Sequence, residues 1–257
     1  MILQYKGISV YYEDKGQGHP IILLHGFLEN STMWTRIKAL FLGKNRVICV
    51  DLLGHGQTGC LGYIHTMEQM ADAVTAVLEH LKLTSYTVIG HSMGGYVALA
   101  LAEKNPNAIS RLCLMNSTYH ADDCEMKLMR KRANKIVQTN FESMVRMSVA
   151  NLFSSESRES NRKAIDMVIE QALKTPLQGY IAGQEGMMLR GNKFDFFENL
   201  KVEKLIVIGK KDVVVNGEQI KRDTVGTNIE CQELALGHMS YIENYTELSY
   251  LLLRFVE

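Results

Sequence analysis

Proline is scarce, at 3 residues in 257, where an average composition of ~5% would supply about four times as many. Few loops are therefore restrained in the unfolded chain, and exceptional heat stability is not expected. Net charge is also missing, since 28 basic residues balance 28 acidic ones, so no global field recruits nucleic acid or an anionic membrane. No window approaches the ~18 apolar residues of a membrane-crossing helix. The opening segment MILQYKGISVYYEDKG lacks a basic stretch followed by an apolar one, so no signal peptide is expected. Cys49, Cys60, Cys113, Cys124 and Cys231 form no CxxC pair and no zinc-ligand spacing. An odd, scattered set of cysteines points to reduced thiols and a cytoplasmic location, with Cys49 and Cys113 acting as packing residues inside apolar runs. No metal and no cofactor is implied, and the partner expected is a small molecule. Hydrophobic residues make up 46%, enough for a chain of this length to bury a full core.

Short apolar runs punctuate the chain. Ile2–Tyr5 and Ile8–Glu13 read as a hairpin turning at Gly7. Ile21–Leu24, Arg46–Val50, Tyr86–Ile89, Arg111–Met115 and Leu205–Ile208 suit strands buried on both faces, and the more polar Ile229–Leu234 suits an edge. Helical patterns lie between them at Ser31–Leu42, Thr66–Leu81, Ser92–Lys104 and Tyr241–Val256. This alternation predicts an α/β fold with a mostly parallel sheet. It breaks after Asn116, where Met126–Gln138, Phe141–Leu152, Asn161–Leu173 and Pro176–Leu189 all read as helices. An insertion of about 70 residues is too long for a plain loop. The expected division is a core of residues 1–118 and 191–257 with a helical cap over 119–190.

The chemistry concentrates where a strand, TVIG, runs through HSMGG straight into a helix. This is the G-x-S-x-G turn in the context it requires, with Ser92 lifted clear of the sheet at a helix N-terminus. Bulky residues at Gly90 or Gly94 would clash there. A serine hydroxyl needs a base, and the base an orienting acid. His238, after the last strand, and Asp212, directly after Leu205–Ile208, supply them in the order Ser, Asp, His. Asp122 and Asp123 are rival acids, better suited to capping the first inserted helix. Two N–H donors are needed for the tetrahedral oxyanion. Met93, after the nucleophile, offers one backbone amide and Phe27, in the His25-Gly26-Phe27 loop, the other. His25 is read as a brace for that loop.

These motifs resemble the α/β-hydrolase fold family, specifically small esterase-like serine hydrolases with a helical lid. The resemblance rests on HGF at His25–Phe27, DLLGHGQT at Asp51–Thr58, GHSMGG at Gly90–Gly95, GKKD ending at Asp212 and GH at Gly237–His238, and it spans nearly the whole chain. It implies a mostly parallel sheet of about eight strands flanked by helices, with Asp51, His55 and Gly56 structural. Ser92 argues against the aspartate nucleophile of haloalkane dehalogenases and epoxide hydrolases. His91 stands where carbon–carbon hydrolases of dienoic acids usually have Asn, and Tyr96 where menaquinone-pathway synthases usually have Arg. The expected activity is hydrolysis of carboxylic esters with small to medium, mainly apolar groups through an acyl-enzyme. A lyase, acyltransferase or perhydrolase on the same three residues is the alternative, with a non-catalytic ligand-binding protein behind it.

The insertion carries Met126, Met129, Met144, Met147, Met167, Met187 and Met188, residues that adapt to irregular apolar surfaces. Leu28, Trp34 and Tyr96 are the expected pocket residues, with Phe27 and Met93 beside them. Lys127, Arg130, Lys131, Arg132 and Lys135 form a basic run on one inserted helix. It reads as a solvated face, or alternatively as an attractor for an anionic substrate or acidic carrier.

Overall fold

The computed structural model describes residues 1–257. Eight strands form one sheet: β1 (Ile2–Tyr5), β2 (Ile8–Gly16), β3 (His19–Leu24), β4 (Asn45–Val50), β5 (Tyr86–His91), β6 (Ile109–Met115), β7 (Glu203–Gly209) and β8 (Ile229–Leu234), in the spatial order β1-β2-β4-β3-β5-β6-β7-β8. The hairpin β1–β2 joins β4 antiparallel, and every pairing from β4 to β8 is parallel. The register aligns Leu24 with Gly90 and His91 with Met115. The carboxyl ends of β3, β5 and β6 therefore form a common rim, where ligands of open α/β sheets bind.

Strand composition explains the central position of β3 and β5. Side chains alternate between the two faces, so Ile22 and Leu24 join one apolar cluster while Ile21 and Leu23 join the other. Each such fully buried aliphatic side chain contributes about 1.5–3 kcal/mol. Helices α1 (Thr35–Phe41), α2 (Met67–His80) and α3 (Met93–Lys104) follow β3, β4 and β5. Met70 and Val74 of α2 pack with Val97 and Leu101 of α3 on one face, while Ile37 and Phe41 of α1 lie on the other. Thr66 and Gln69 start α2 with a reciprocal capping box.

Between β6 and β7 come α4 (Cys124–Leu152), α5 (Arg162–Ala172), α6 (Leu177–Leu189) and α7 (Phe194–Asn199). Asp123 caps α4 by accepting from the Met126 amide at 2.7 Å. The two helices expected over Met126–Leu152 are one element kinked at Asn140, which alone has non-helical geometry (φ −135°, ψ 47°). Val137, Val145 and Val149 carry the core cluster up into this helix. The chain ends with α8 (Gly217–Thr224), α9 (Ser240–Glu243) and α10 (Tyr245–Val256). The single helix expected from Tyr241 is split at Asn244, whose side chain accepts from the Leu236 amide at 3.1 Å. Helices α7 and α8 were not anticipated; at 6 and 8 residues they are too short for a clear periodic stripe. No helix is long and apolar enough to cross a membrane.

Candidate active site

Five non-glycine residues have positive φ, and three of them ring one spot: Leu28 (63°), Ser92 (50°) and Asn116 (46°). Such strain persists where surrounding structure over-determines it, and it clusters at functional sites. Ser92 lies between β5 and α3 with ψ −117°. A Cβ on Gly90 would collide with the Gly94 carbonyl, and one on Gly94 with the Leu24 carbonyl, so the sharp turn needs both glycines.

Loops from three strand ends converge on the serine. Ser92 Oγ donates to His238 Nε2 at 2.9 Å. His238 Nδ1 donates to Asp212 Oδ2 at 2.8 Å, since a carboxylate only accepts. Asp212 follows β7, and its Oδ1 accepts from the amides of Val214 (2.8 Å) and Val215 (3.0 Å). Burial pushes the Asp212 carboxyl up, but His238 and the two amides outweigh it and hold the group below its ordinary value. Asn116, just beyond β6, adds a donor to Asp212 Oδ2 at 3.2 Å. Ser117 Oγ donates to the Ser92 carbonyl at 2.7 Å. This geometry permits a proton to pass from Ser92 to His238 while Asp212 stabilises the imidazolium.

Phe27 lines the same cavity as Ser92, and its amide donates to no protein acceptor. Met93 opens α3, where the first amides have no partner within the helix. His25 is tied into its loop: it accepts from the Leu52 amide at Nε2 (2.8 Å), so its Nδ1 donates to the Gly26 carbonyl (2.8 Å). Burial lowers its pKa, keeping this neutral tautomer. Asp51 accepts from the amides of Ser31 and Gln57, and His55 bonds to the Leu53 carbonyl. Gly56 has φ +55° and no room for a side chain beside Asp51.

Behind the serine lies a buried ion pair that sequence reasoning missed. His91 Nδ1 donates to Glu29 Oε2 at 2.7 Å and Nε2 to the His238 carbonyl at 3.1 Å. Both partners are pure acceptors, so both ring nitrogens carry protons and His91 is an imidazolium. Glu29 also accepts from the Gly26 amide (2.7 Å) and the Tyr241 hydroxyl (2.8 Å). Burial alone would raise Glu29, but the His91 charge and these hydrogen bonds hold it at about 2. Burial likewise depresses His91, and Glu29 more than reverses that, leaving the imidazole raised. One carboxylate thus fixes the loop carrying Phe27 and, through His91, the backbone of His238. No sequence motif announces Glu29; only its position three residues past Gly26 hints at it.

The serine faces a cavity of about 160 Å³. Phe27, Leu28, Tyr96, Met187 and Arg130 line it together with Ser92 and His238. Trp34, expected there, is absent from the walls: it is fully buried with Ile37 and Phe41 in the core. It sits in a turn capped by Asn30, which directs the indole beneath the rim. Of the seven inserted methionines only Met187 reaches the cavity; Met129, Met147 and Met167 are exposed. The basic run also divides. Lys131, Arg132 and Lys135 face solvent, whereas Arg130 turns inward to Asp122. Asp122 is therefore an ion-pair residue, and Asp123 is the helix cap. The insertion is anchored to the site by the Leu152 carbonyl, which accepts from the His238 amide at 3.0 Å.

Comparison with known proteins agrees with this architecture. An esterase from Thermogutta terrifontis superimposes with a TM-score of 0.91 at 26% identity, covering 99% of this chain and 96% of that one. An uncharacterized hydrolase of Bacillus subtilis is 32% identical over 115 residues, 44% of this chain and 42% of its own. A non-heme haloperoxidase of Rhodococcus erythropolis is 34% identical over 114 residues, 43% of this chain and 41% of its own. The chain spans less than half the length of the curated relatives it matches. The sequence profile of the alpha/beta hydrolase fold matches residues 19–245, and the chain belongs to that family.

Proposed function

We propose that the chain is a serine hydrolase of carboxylic esters of small to medium size. The observation that carries this reading is Ser92 Oγ, strained at φ 50° and 2.9 Å from His238 Nε2, at the wall of a cavity it shares with the Phe27 loop. Ser92 attacks the ester carbonyl and gives its proton to His238. Asp212 keeps the imidazole in the accepting tautomer. The tetrahedral oxyanion is held by the amides of Phe27 and Met93. Collapse expels the alcohol, which takes its proton from His238, and leaves an acyl group on Ser92. Water then repeats the sequence and releases the acid. Residues 119–190 act as the cap that shapes the acyl pocket, with Leu28 and Tyr96 on its walls. The five unpaired cysteines fit a reducing cytoplasm. The similarity to a haloperoxidase favours one second reading, perhydrolysis on the same triad, in which hydrogen peroxide replaces water as acyl acceptor.

Turnover of p-nitrophenyl butyrate tests the proposal. Wild type is expected to hydrolyse it, and Ser92→Ala to lose at least about 10⁴-fold in kcat. Equal turnover by Ser92→Ala removes the reading. Peracid assay with hydrogen peroxide separates the perhydrolase from the esterase.

A further inference from the structure

The cavity wall opposite the core carries an unbalanced buried charge. Asp122, 7% exposed, is bonded by two guanidinium groups: Arg130 Nε at 2.6 Å and Arg190 Nη1 at 2.7 Å. Neither arginine reaches any other carboxylate. Two positive charges thus share one negative charge, leaving one cation uncompensated among residues that are mostly out of water. Arg190 also donates to the carbonyls of His120 and Met187, lies 4.0 Å from the centre of the Tyr96 ring, and stands outside the walls of the serine's cavity. Arg130 is on that wall. Its five N–H groups meet Asp122 at Nε and Nη2 and the Gln184 amide oxygen at Nη1 (2.7 Å). One N–H remains on each terminal nitrogen, and Arg130 is the member of the cluster that lines the cavity beside Ser92.

An isolated buried charge is costly, and proteins pair it or leave it for a ligand. We propose that the surplus charge on Arg130 is the recognition site for a carboxylate on the substrate, at the end of the acyl chain remote from the scissile ester. This rests on the esterase reading and names its substrate class: half-esters of dicarboxylic acids, or lactones bearing a free carboxylate. Two free N–H groups on one planar fork suit the two oxygens of a carboxylate. The neighbouring Phe27, Tyr180 and Met187 supply the apolar surface that the methylene chain crosses. The exposed cations Lys131 and Arg132 on the same helix play no part in it.

The test compares mono-p-nitrophenyl glutarate with p-nitrophenyl valerate. Wild type is expected to favour the glutarate by about tenfold or more in kcat/KM, the scale of one charge-assisted hydrogen bond. Arg130→Gln is expected to bring the ratio within about threefold of one, chiefly through KM for the glutarate. Arg130→Lys, which keeps charge but not the fork, retains part of the preference and guards against a folding defect in the first variant. The double variant Lys131→Gln, Arg132→Gln leaves both rates as in wild type. A wild-type ratio near one overturns the proposal. So does a ratio that survives Arg130→Gln, or one that falls as far in the Lys131/Arg132 variant. A binding readout separates the two readings. Free glutarate is expected to raise the thermal midpoint of wild type and not of Arg130→Gln. If neither ester is turned over but this difference persists, the esterase reading fails and the carboxylate site stands; if glutarate shifts both proteins equally or neither, the site fails.

Discussion

The sheet core and the helical insertion each place a buried ionic cluster against the cavity, and the two differ in stoichiometry. In the core, Glu29 and His91 pair one to one, and every polar atom of the pair is bonded to the protein. In the insertion, Asp122 serves two arginines. The balanced pair has nothing left to offer a ligand, so its work is to hold the Phe27 loop and the His238 backbone. The unbalanced cluster retains one charge and two donors. On the proposed function, reaction chemistry belongs to the core and selectivity to the insertion.

The sharpest division between the regions is expected at the core carboxylate proposed to orient His238. Asp212→Asn is expected to lower kcat by about 10⁴-fold with little change in KM, because the imidazole loses its accepting tautomer; single-turnover hydrolysis of p-nitrophenyl butyrate measures it. A loss of only a few-fold would show that the acid lies elsewhere. Next comes the pair behind the serine. Glu29→Gln is expected to cost about 3 kcal/mol in denaturant unfolding and up to ~100-fold in kcat, as the two loops lose their common anchor. Unchanged kcat with lowered stability would confine the pair to a structural role.

That same pair shapes the pH dependence of stability. Glu29 has its pKa depressed from 4.5 to about 2, so its contribution is present above pH 4.5 and lost as pH falls toward 2. His91 is raised above 6.5, so its contribution is full below pH 6.5 and lost as pH rises through the raised value. Wild type is expected to be most stable between these limits, and urea unfolding of Glu29→Gln at several pH values to show flattened flanks. Smaller still are substitutions at exposed methionines of the insertion. Met167→Gln and Met147→Gln, at positions 68% and 54% exposed, are expected to change stability by less than about 0.5 kcal/mol and leave turnover unaltered. A large loss of activity would mean that these methionines meet substrate.

The two regions were also unequally legible in the sequence. Ser92, Asp212 and His238 follow apolar runs or begin helices, and the parallel sheet brings such strand ends to one rim, so order along the chain sufficed to group them. Gly90 and Gly94 marked the turn because only glycine fits against the neighbouring carbonyls. Asn116 escaped notice because a lone Asn past a strand has no motif, and Glu29 because its partner lies 62 residues away. Trp34 was misplaced because burial beneath a rim and exposure to a cavity produce the same apolar pattern. In the insertion, helices were visible from their period, but the direction of each side chain was not. Arg130 looked like its neighbours Lys131 and Arg132, and only the packing of α4 against α6 separates the inward cation from the outward ones.

Covalent capture tests the proposed role of Ser92 as nucleophile most directly. Wild type treated with a fluorophosphonate and digested for peptide mass mapping is expected to carry one phosphonyl group on Ser92, with hydrolysis of p-nitrophenyl butyrate lost in step with labelling. Ser92→Ala is expected to carry none. An active wild-type enzyme that resists the reagent, or a label that persists in Ser92→Ala, would contradict it.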